Sequence, residues 1–325
     1  MTAGAPATAQ AAPTNPAAQP RPPRRATGDL SFRLDEALVE RFAATEPDWL
    51  AADRRAALAR FRDLPTESNR LYTPYVDLRA ADLEAVLAYD ATASEPAAGS
   101  ARAELATDIA GLIDLREDAV IGIGLDPAAA AAGVTLETIG AFVGRDPATA
   151  RGLIGDETSL ALDDRLAQLT RAGWNQGIVV RVPAGVRLDR PIVLRWSAGA
   201  PGRALLTRTI VDIGDGAAAS IVEELVSSGP EIACAEGETV PQALYTGTLE
   251  VRLGRGADLA VASVQDFGPR QIAFQHRQAA IGDGASLRWA LAQLGARLVR
   301  SRIDNRLEGD RSSVDQVEIV FGGEE

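Results

Sequence analysis

From residue 209 onward the chain repeats one pattern: a short apolar strand, a tight glycine turn, a small residue and another strand. The stretches TIVDIGDGAAASIVEEL, LEVRLGRGADLAVASVQDF, QAAIGDGASLRWALAQL and DNRLEGDRSSVDQVEIVF all follow it. Their turn glycines fall at 214, 254, 282 and 309, spacings of 40, 28 and 27 residues. At about 3.3 Å per residue a single strand cannot fill such a period, so each period holds two strands and two turns. Within strands the apolar positions alternate, as in Leu249/Val251/Leu253 and Leu287/Trp289/Leu291, which marks one face as buried. A repeat of this length without intervening helices predicts a solenoid whose layers stack into one core. The glycines read as positive-φ turn residues between strands. The longer first spacing predicts an extra loop.

The first half is built differently. Leu34, Leu38 and Phe42 recur at helical spacing, and Leu50, Leu58 and Phe61 line a second helix opening near Pro47 and closing at Pro65. Thr45 or Glu46 can cap that helix, with Pro47 at its first position. ADLEAVLAYD reads as a short helix, about 91–100 as a loop, and 135–155 as helical pieces around Pro147. DIAGLIDLREDAVIGIG fits strands by its β-branched content without excluding helix. A helix through Leu162, Leu166 and Leu169 ends at Gly173, and Ile178–Val182 begins the strand pattern. The expected fold is therefore α plus all-β: a leader at 1–28 that reads as disordered, a helical domain at 29–172 and a parallel β-helix at 173–325.

Composition narrows the chemistry. All 33 basic residues are Arg, so these 325 residues hold neither the Lys of a Walker A loop nor a Lys for pyridoxal phosphate. One Cys (Cys234) and one His (His276) allow no intramolecular disulfide and no Cys/His zinc cluster. A net charge of −12 with dispersed Arg argues against a nucleic-acid partner. No segment has the ~18 uninterrupted apolar residues of a membrane span. The Pro/Ala-rich start lacks the order of a secretory signal, so a cytoplasmic protein is expected.

Cys234, in SSGPEIACAEGETV, is the one thiol and so the one candidate thiolate metal ligand. Its neighbours Glu231, Glu236 and Glu238 would raise its pKa, which favours a loop or core role instead. His276, in FQHRQ, has alternation partners Phe274 and Gln278 of opposite polarity, so its face is open; a hydrogen-bonded structural His is expected over a metal ligand. Glu223-Glu224 and Asp163-Asp164 read as solvated charge, and adjacent residues on a strand such as Glu223-Glu224 cannot chelate together. Trp174-Asn175 is expected to seal the helix-to-strand junction, Trp over the open end of the first layer and Asn on turn backbone groups.

RLAQLTRAGWNQGIVVRVPAGVRLDRPIVL resembles the junction of the SufB/SufD family, scaffold proteins of SUF iron–sulfur assembly. EPDWLAADRRAALARFRDLP and LYTPYVDL are similar to the family's N-terminal helix and its tyrosine link. LEVRLGRGADLAVASVQDFG and AIGDGASLRWALAQLGARLVRSRIDNRLEGD resemble successive layers of its β-helix. The motifs occur in family order across about 31–322 and lean toward SufD. The resemblance implies a right-handed parallel β-helix, pairing with a SufB-like paralogue, and ATP hydrolysis by a SufC-like ABC ATPase. It implies no catalysis by this subunit and an iron–sulfur cluster held transiently at the level of the complex. VEIVFGGEE falls inside the family's β-helix, so a C-terminally truncated chain with an uncapped apolar edge and poor solubility is the expectation. A passive β-solenoid interaction module and a carbohydrate-active β-helix enzyme are the alternatives; the latter would want a secretion signal and clustered Asp with Lys or Arg.

Overall fold

The computed structural model describes residues 29–67, 76–90, 105–155, 160–229 and 240–322. The expected leader at 1–28, Leu71–Tyr75 of the link, the loop at 91–100 and Cys234 lie outside them. The architecture is mixed α/β: two parallel-rich sheets and, among the described residues, six helices.

The helices are α1 (Glu36–Ala43), α2 (Asp48–Asp63), α3 (Pro127–Ala131), α4 (Ile139–Arg145), α5 (Pro147–Ile154) and α6 (Arg165–Gly173). Asp35, Asp126, Thr138, Asp146 and Asp164 cap five of them by accepting backbone N–H groups of the first turn. Pro47 is itself the N-cap of α2, which has no side-chain cap, so neither Thr45 nor Glu46 serves there. Leu162 precedes α6 and is exposed, whereas Leu166 and Leu169 are buried.

The strands are β1 (Leu87–Ala88), β2 (Gly111–Arg116), β3 (Ala119–Leu125), β4 (Thr135–Thr138), β5 (Gln176–Val182), β6 (Ile192–Ala198) and β7 (Arg203–Ile213). After them come β8 (Ala218–Ser227), β9 (Ala243–Leu253), β10 (Asp258–Asp266), β11 (Gln271–Ile281), β12 (Ser286–Gln293), β13 (Leu298–Leu307) and β14 (Ser313–Val320). From β5 onward consecutive strands alternate between the sheets. One sheet runs β13-β11-β9-β7-β5-β4, with β1 on β7; the other runs β14-β12-β10-β8-β6-β2-β3. The ladders among β5–β14 are all parallel, while β4 and β3 are antiparallel ends.

Ile213 stands beside Leu253, and Leu253 beside Ile281, so the 40- and 28-residue periods are layer-to-layer registers. The extra length of the first falls between β8 and β9. ADLEAVLAYD is not a helix: it supplies β1, paired to Arg203 and Ala204 where β5 has not yet begun. The sheets take strands from both sides of residue 173: β2 pairs with β6 and carries β3 on its other side, and β4 pairs with β5.

The two sheets differ in what covers them. In β8, β10 and β12 burial alternates, one face on the core and the other toward solvent. In β7, β9 and β11 nearly every residue is buried, because helices cover the outer face. Leu249, Val251, Leu253, Leu287, Trp289 and Leu291 fill the space between the sheets as their alternation predicts. Leu206, Leu244, Ile272 and Phe274 point the other way, against Leu38, Phe42, Leu166 and Leu169.

The turns stack into a column, and its glycines do two jobs. Gly185, Gly216, Gly256 and Gly284 adopt φ of 75°, 67°, 63° and 66°. Each donates its N–H to the carbonyl of the next turn, at Asp215, Arg255, Asp283 and Asp310 respectively. The counted glycines at 214, 254, 282 and 309 are not the positive-φ residues. They permit close approach instead: a Cβ on Gly309 would lie 2.2 Å from Asp283 N, and one on Gly254 would lie 2.7 Å from Asp215 N. In the last turn Arg311 occupies the positive-φ place, at 60°.

Candidate functional site

Strand β11 carries polar residues on both faces, and each face builds its own cluster. Inward, Arg277 donates Nη2 to Glu223 Oε2 and to Ser263 Oγ, both at 2.8 Å, and Nη1 to Gln275 Oε1 at 2.8 Å. Ser263 in turn donates to Glu223 Oε2 at 2.6 Å. All four side chains are buried between the sheets, so the guanidinium and carboxylate must meet each other. Nearby, the Thr207 hydroxyl donates to Tyr245 at 2.9 Å, and burial pushes the tyrosine phenol well up from its ordinary value. A void of about 10 Å³ opens among Glu223, Tyr245, Gly247, Gln275 and Arg277. Glu223 is therefore not the solvated charge its sequence context suggests. Its neighbour Glu224 is: it faces outward and accepts from Arg195 Nε at 2.6 Å.

Outward, His276 sits 3% exposed where β11 meets the start of α6. Its Nε2 lies 3.0 Å from Asp304 Oδ2 on β13, and its Nδ1 lies 3.8 Å from Asp164 Oδ2. Asp164 is the hub. Its Oδ1 accepts from Ala167 N at 2.9 Å, while its Oδ2 faces Arg300 at 2.7 Å and Arg302 at 3.2 Å. Arg300 also reaches Glu67 at 3.1 Å, and Arg302 reaches Asp304 at 2.8 Å. Burial opposes the charge on Asp164, but Arg300, then His276 and the Ala167 N–H, hold its carboxyl below the ordinary range. Asp304 is likewise buried in part, and His276 and Arg302 hold it down. The expectation of solvated charge at Asp164 is thus overturned; Asp163, more exposed, stays at the rim.

A third cluster joins the helices to the sheet. Arg54, Arg171 and Arg208 are fully buried. Arg54 donates to both oxygens of Glu46 and to the carbonyls of Ala172 and Trp174; Arg171 pairs with Asp53; Arg208 donates Nε to Glu250 at 2.6 Å and Nη2 to the Ile154 carbonyl. Burial lowers the pKa of Arg54, whereas at Arg208 burial is outweighed by Glu250 and the pKa rises. Trp174 packs here, with Leu50, Ile139 and Val179, rather than over an open end of the sheet stack. Asn175 accepts from Leu206 N and donates to the Tyr89 carbonyl, serving strand and link backbone rather than a turn.

These three clusters are ion-paired and cross-linked, the arrangement of a framework that must hold shape. Among the described residues no group of three His, Cys, Asp or Glu side chains is placed to hold a metal ion. No helix of the described residues is long and apolar enough to cross a membrane. Of the two sequence candidates, His276 belongs to the outward cluster, and Cys234 has no described geometry. Sequence reasoning missed Arg54, Arg171 and Arg208, whose one signal is a charged residue inside an apolar run, as in RALLTRTIVDI.

Alternating parallel strands, a column of stacked turns and a helical layer on one sheet define a stacked-layer fold. Residues 196–325, from β6 to the end of the chain, match the family described as SUF system FeS cluster assembly, SufBD core domain. An iron-sulfur cluster assembly SufBD family protein of Staphylococcus haemolyticus is 20% identical over 163 residues, covering 50% of this chain and 33% of that protein. Relatives of the same description from Staphylococcus epidermidis and Staphylococcus aureus strain USA300 match at the same identity and coverage. The chain thus spans about a third of the length of the curated relatives it matches. Over residues 196–325 the chain is similar to the SufB/SufD family.

Proposed function

We propose that the chain is a non-catalytic scaffold subunit of the SUF iron–sulfur assembly complex, with a SufD-like role. In this reading the two sheets are the faces of a right-handed parallel β-helix over 173–325, and 29–172 is the family's N-terminal domain. The carrying observation is the coincidence of the matched region, 196–325, with the layers whose turns stack in register. A SufB-like paralogue and a SufC-like ATPase are the partners, and the partner ATPase supplies hydrolysis, since this chain has no Lys for a Walker A loop. The iron–sulfur cluster is cargo of the complex in the cytoplasm. The reading does not require Cys234 as a ligand.

The test is co-expression of the tagged chain with the SufB-like and SufC-like proteins of its own genome. Recovery of both in fixed ratio is expected, with unchanged iron and sulfide content for C234S. A soluble, folded chain that recovers neither partner would instead favour a passive interaction module.

A further inference from the structure

His276 is the chain's only histidine, and it is buried with a carboxylate opposite each ring nitrogen. Nε2 lies within hydrogen-bond distance of Asp304, while Nδ1, 3.8 Å from Asp164, is too far for a hydrogen bond, so that second contact depends on charge. Every element packed around the ring contributes. The start of α6 brings Asp164 and, at its rim, Asp163. Strand β13 brings Arg300, Arg302 and Asp304, with Arg302 directly across the ladder from His276. Glu67 joins through Arg300. Strand β9 sets the neutral Thr248 opposite the ring, and its Glu250 is taken by Arg208. Arg277 points to the other face, into the interior cluster. Four carboxylates therefore face two guanidinium groups. With a neutral imidazole the cluster carries −2; with a protonated one it carries −1.

The cluster also spans a boundary. Asp164 belongs to the helical layer, while Asp304, Arg300 and Arg302 belong to β13, the last strand of its sheet among the described residues. A neutral ring leaves Asp164 and Asp304 facing a polar group that cancels none of their charge, in a site where Asp164 is fully buried and water screens Asp304 only in part. A protonated ring ion-pairs with both at once.

We propose that His276 is a proton-operated latch that fastens strand β13 to the start of α6. Protonated, the ring ties Asp304 to Asp164; on losing its proton it loosens that tie, and β13 loosens with it. His is the side chain whose charge changes in the physiological range, so the latch works where the aspartates and arginines stay ionised. It is a property of this chain alone and does not rest on the assembly reading.

The experiment is hydrogen exchange of the whole chain, read by mass spectrometry, at pH values from about 5.5 to about 8.5, bracketing imidazole titration. Rates are corrected for intrinsic pH dependence. Protection of peptides spanning 298–307, relative to peptides from β7 and β9, is expected to fall about tenfold as pH rises, a change of about 1.4 kcal/mol. H276Q and D304N should each flatten that dependence. Because H276Q alone could misfold, the single imidazole C2–H resonance is followed in the unaltered chain, where it must titrate within the same range. Protection that is flat or rises with pH in the unaltered chain, an unchanged fall in a folded H276Q, or a resonance that does not titrate would each overturn the latch.

Discussion

The Arg54 guanidinium lies over the Trp174 ring, 4.0 Å from its centroid, while Arg54 Nη1 donates to the Trp174 carbonyl at 2.9 Å. One side chain thus fixes both the ring and the backbone of the residue that joins α6 to β5. Its other edge forks onto both oxygens of Glu46. A fork, a stack and two carbonyl bonds need a planar guanidinium, which Lys does not provide. R54A leaves Glu46 and two carbonyls without a partner, and a loss of about 3–5 kcal/mol in urea unfolding is expected. R54K should lose roughly 1–3 kcal/mol, because it keeps the charge and not the geometry. Loss below half a kcal/mol in R54A would show that the junction is held elsewhere.

The turn column makes a prediction of opposite sign. Arg311 takes the left-handed conformation that glycine takes in the layers before it, and its side chain is 82% exposed with one distant carboxylate, Asp283, at 3.7 Å. A non-glycine residue there costs about 1–2 kcal/mol of backbone strain. R311G should therefore stabilise the chain, by up to about 1 kcal/mol after the added flexibility of the unfolded state is set against it. G284A, the reverse change one layer earlier, should destabilise by roughly 1 kcal/mol. Thermal melts of the pair would check both signs.

The interior pair separates two kinds of loss. Glu223 and Arg277 meet between the sheets, so E223A strands a buried guanidinium and should cost about 3–5 kcal/mol. E223L combined with R277M removes both charges and should cost less than the sum of the single changes, although Ser263 and Gln275 lose their partner. A double-mutant cycle with no coupling would mean that the pair contributes nothing beyond packing.

The repeat was legible because spacing, glycine and alternation all report on stacking, and layers set their own register once turns align. His276 was not, because alternation identifies a face only when one side meets solvent. In β11 both sides are buried, so Phe274 and Gln278 differ without saying which way is out. Arg54, Arg171 and Arg208 were missed because burial of an arginine depends on a carboxylate far away in sequence, such as Glu250 for Arg208. ADLEAVLAYD has helical spacing, yet the unpaired start of β7 recruits Leu87–Ala88 as strand, a tertiary demand that outweighs local preference. The polar pairs misread as solvated, Glu223 and Asp164, share one cause: their partners Arg277 and Arg300 arrive from later layers.

Acid should undo the outward cluster before the core. Asp164 and Asp304 have folded-state pKa values below their ordinary 3.8, so their pairing contributes stability that is complete above that value. It is lost as pH falls through the depressed folded values. Unfolding free energy should therefore drop on acidification below about pH 4. D164N keeps a side-chain oxygen to cap Ala167 and removes the charge that Arg300 and Arg302 share. It should be less stable at neutral pH by about 2–4 kcal/mol and show a shallower acid limb. An acid limb as steep as that of the unaltered chain would place the titrating groups elsewhere.

The open edge gives the last expectation. Val317, Ile319, Val320 and Phe321 on and beside β14 are 64%, 52%, 67% and 73% exposed, and among the described residues β14 pairs on one side only, with β12. Its other side offers a row of backbone donors and acceptors flanked by apolar side chains, the arrangement that templates pairing with another chain. The isolated chain should self-associate in a concentration-dependent way. Replacing Val317 and Val320 together by Lys puts charge beside that edge without touching the β12 ladder contacts, which are backbone. Light scattering should then show a smaller, concentration-independent species, while melting temperature changes little. Equal scattering from both forms would place the association surface away from β14.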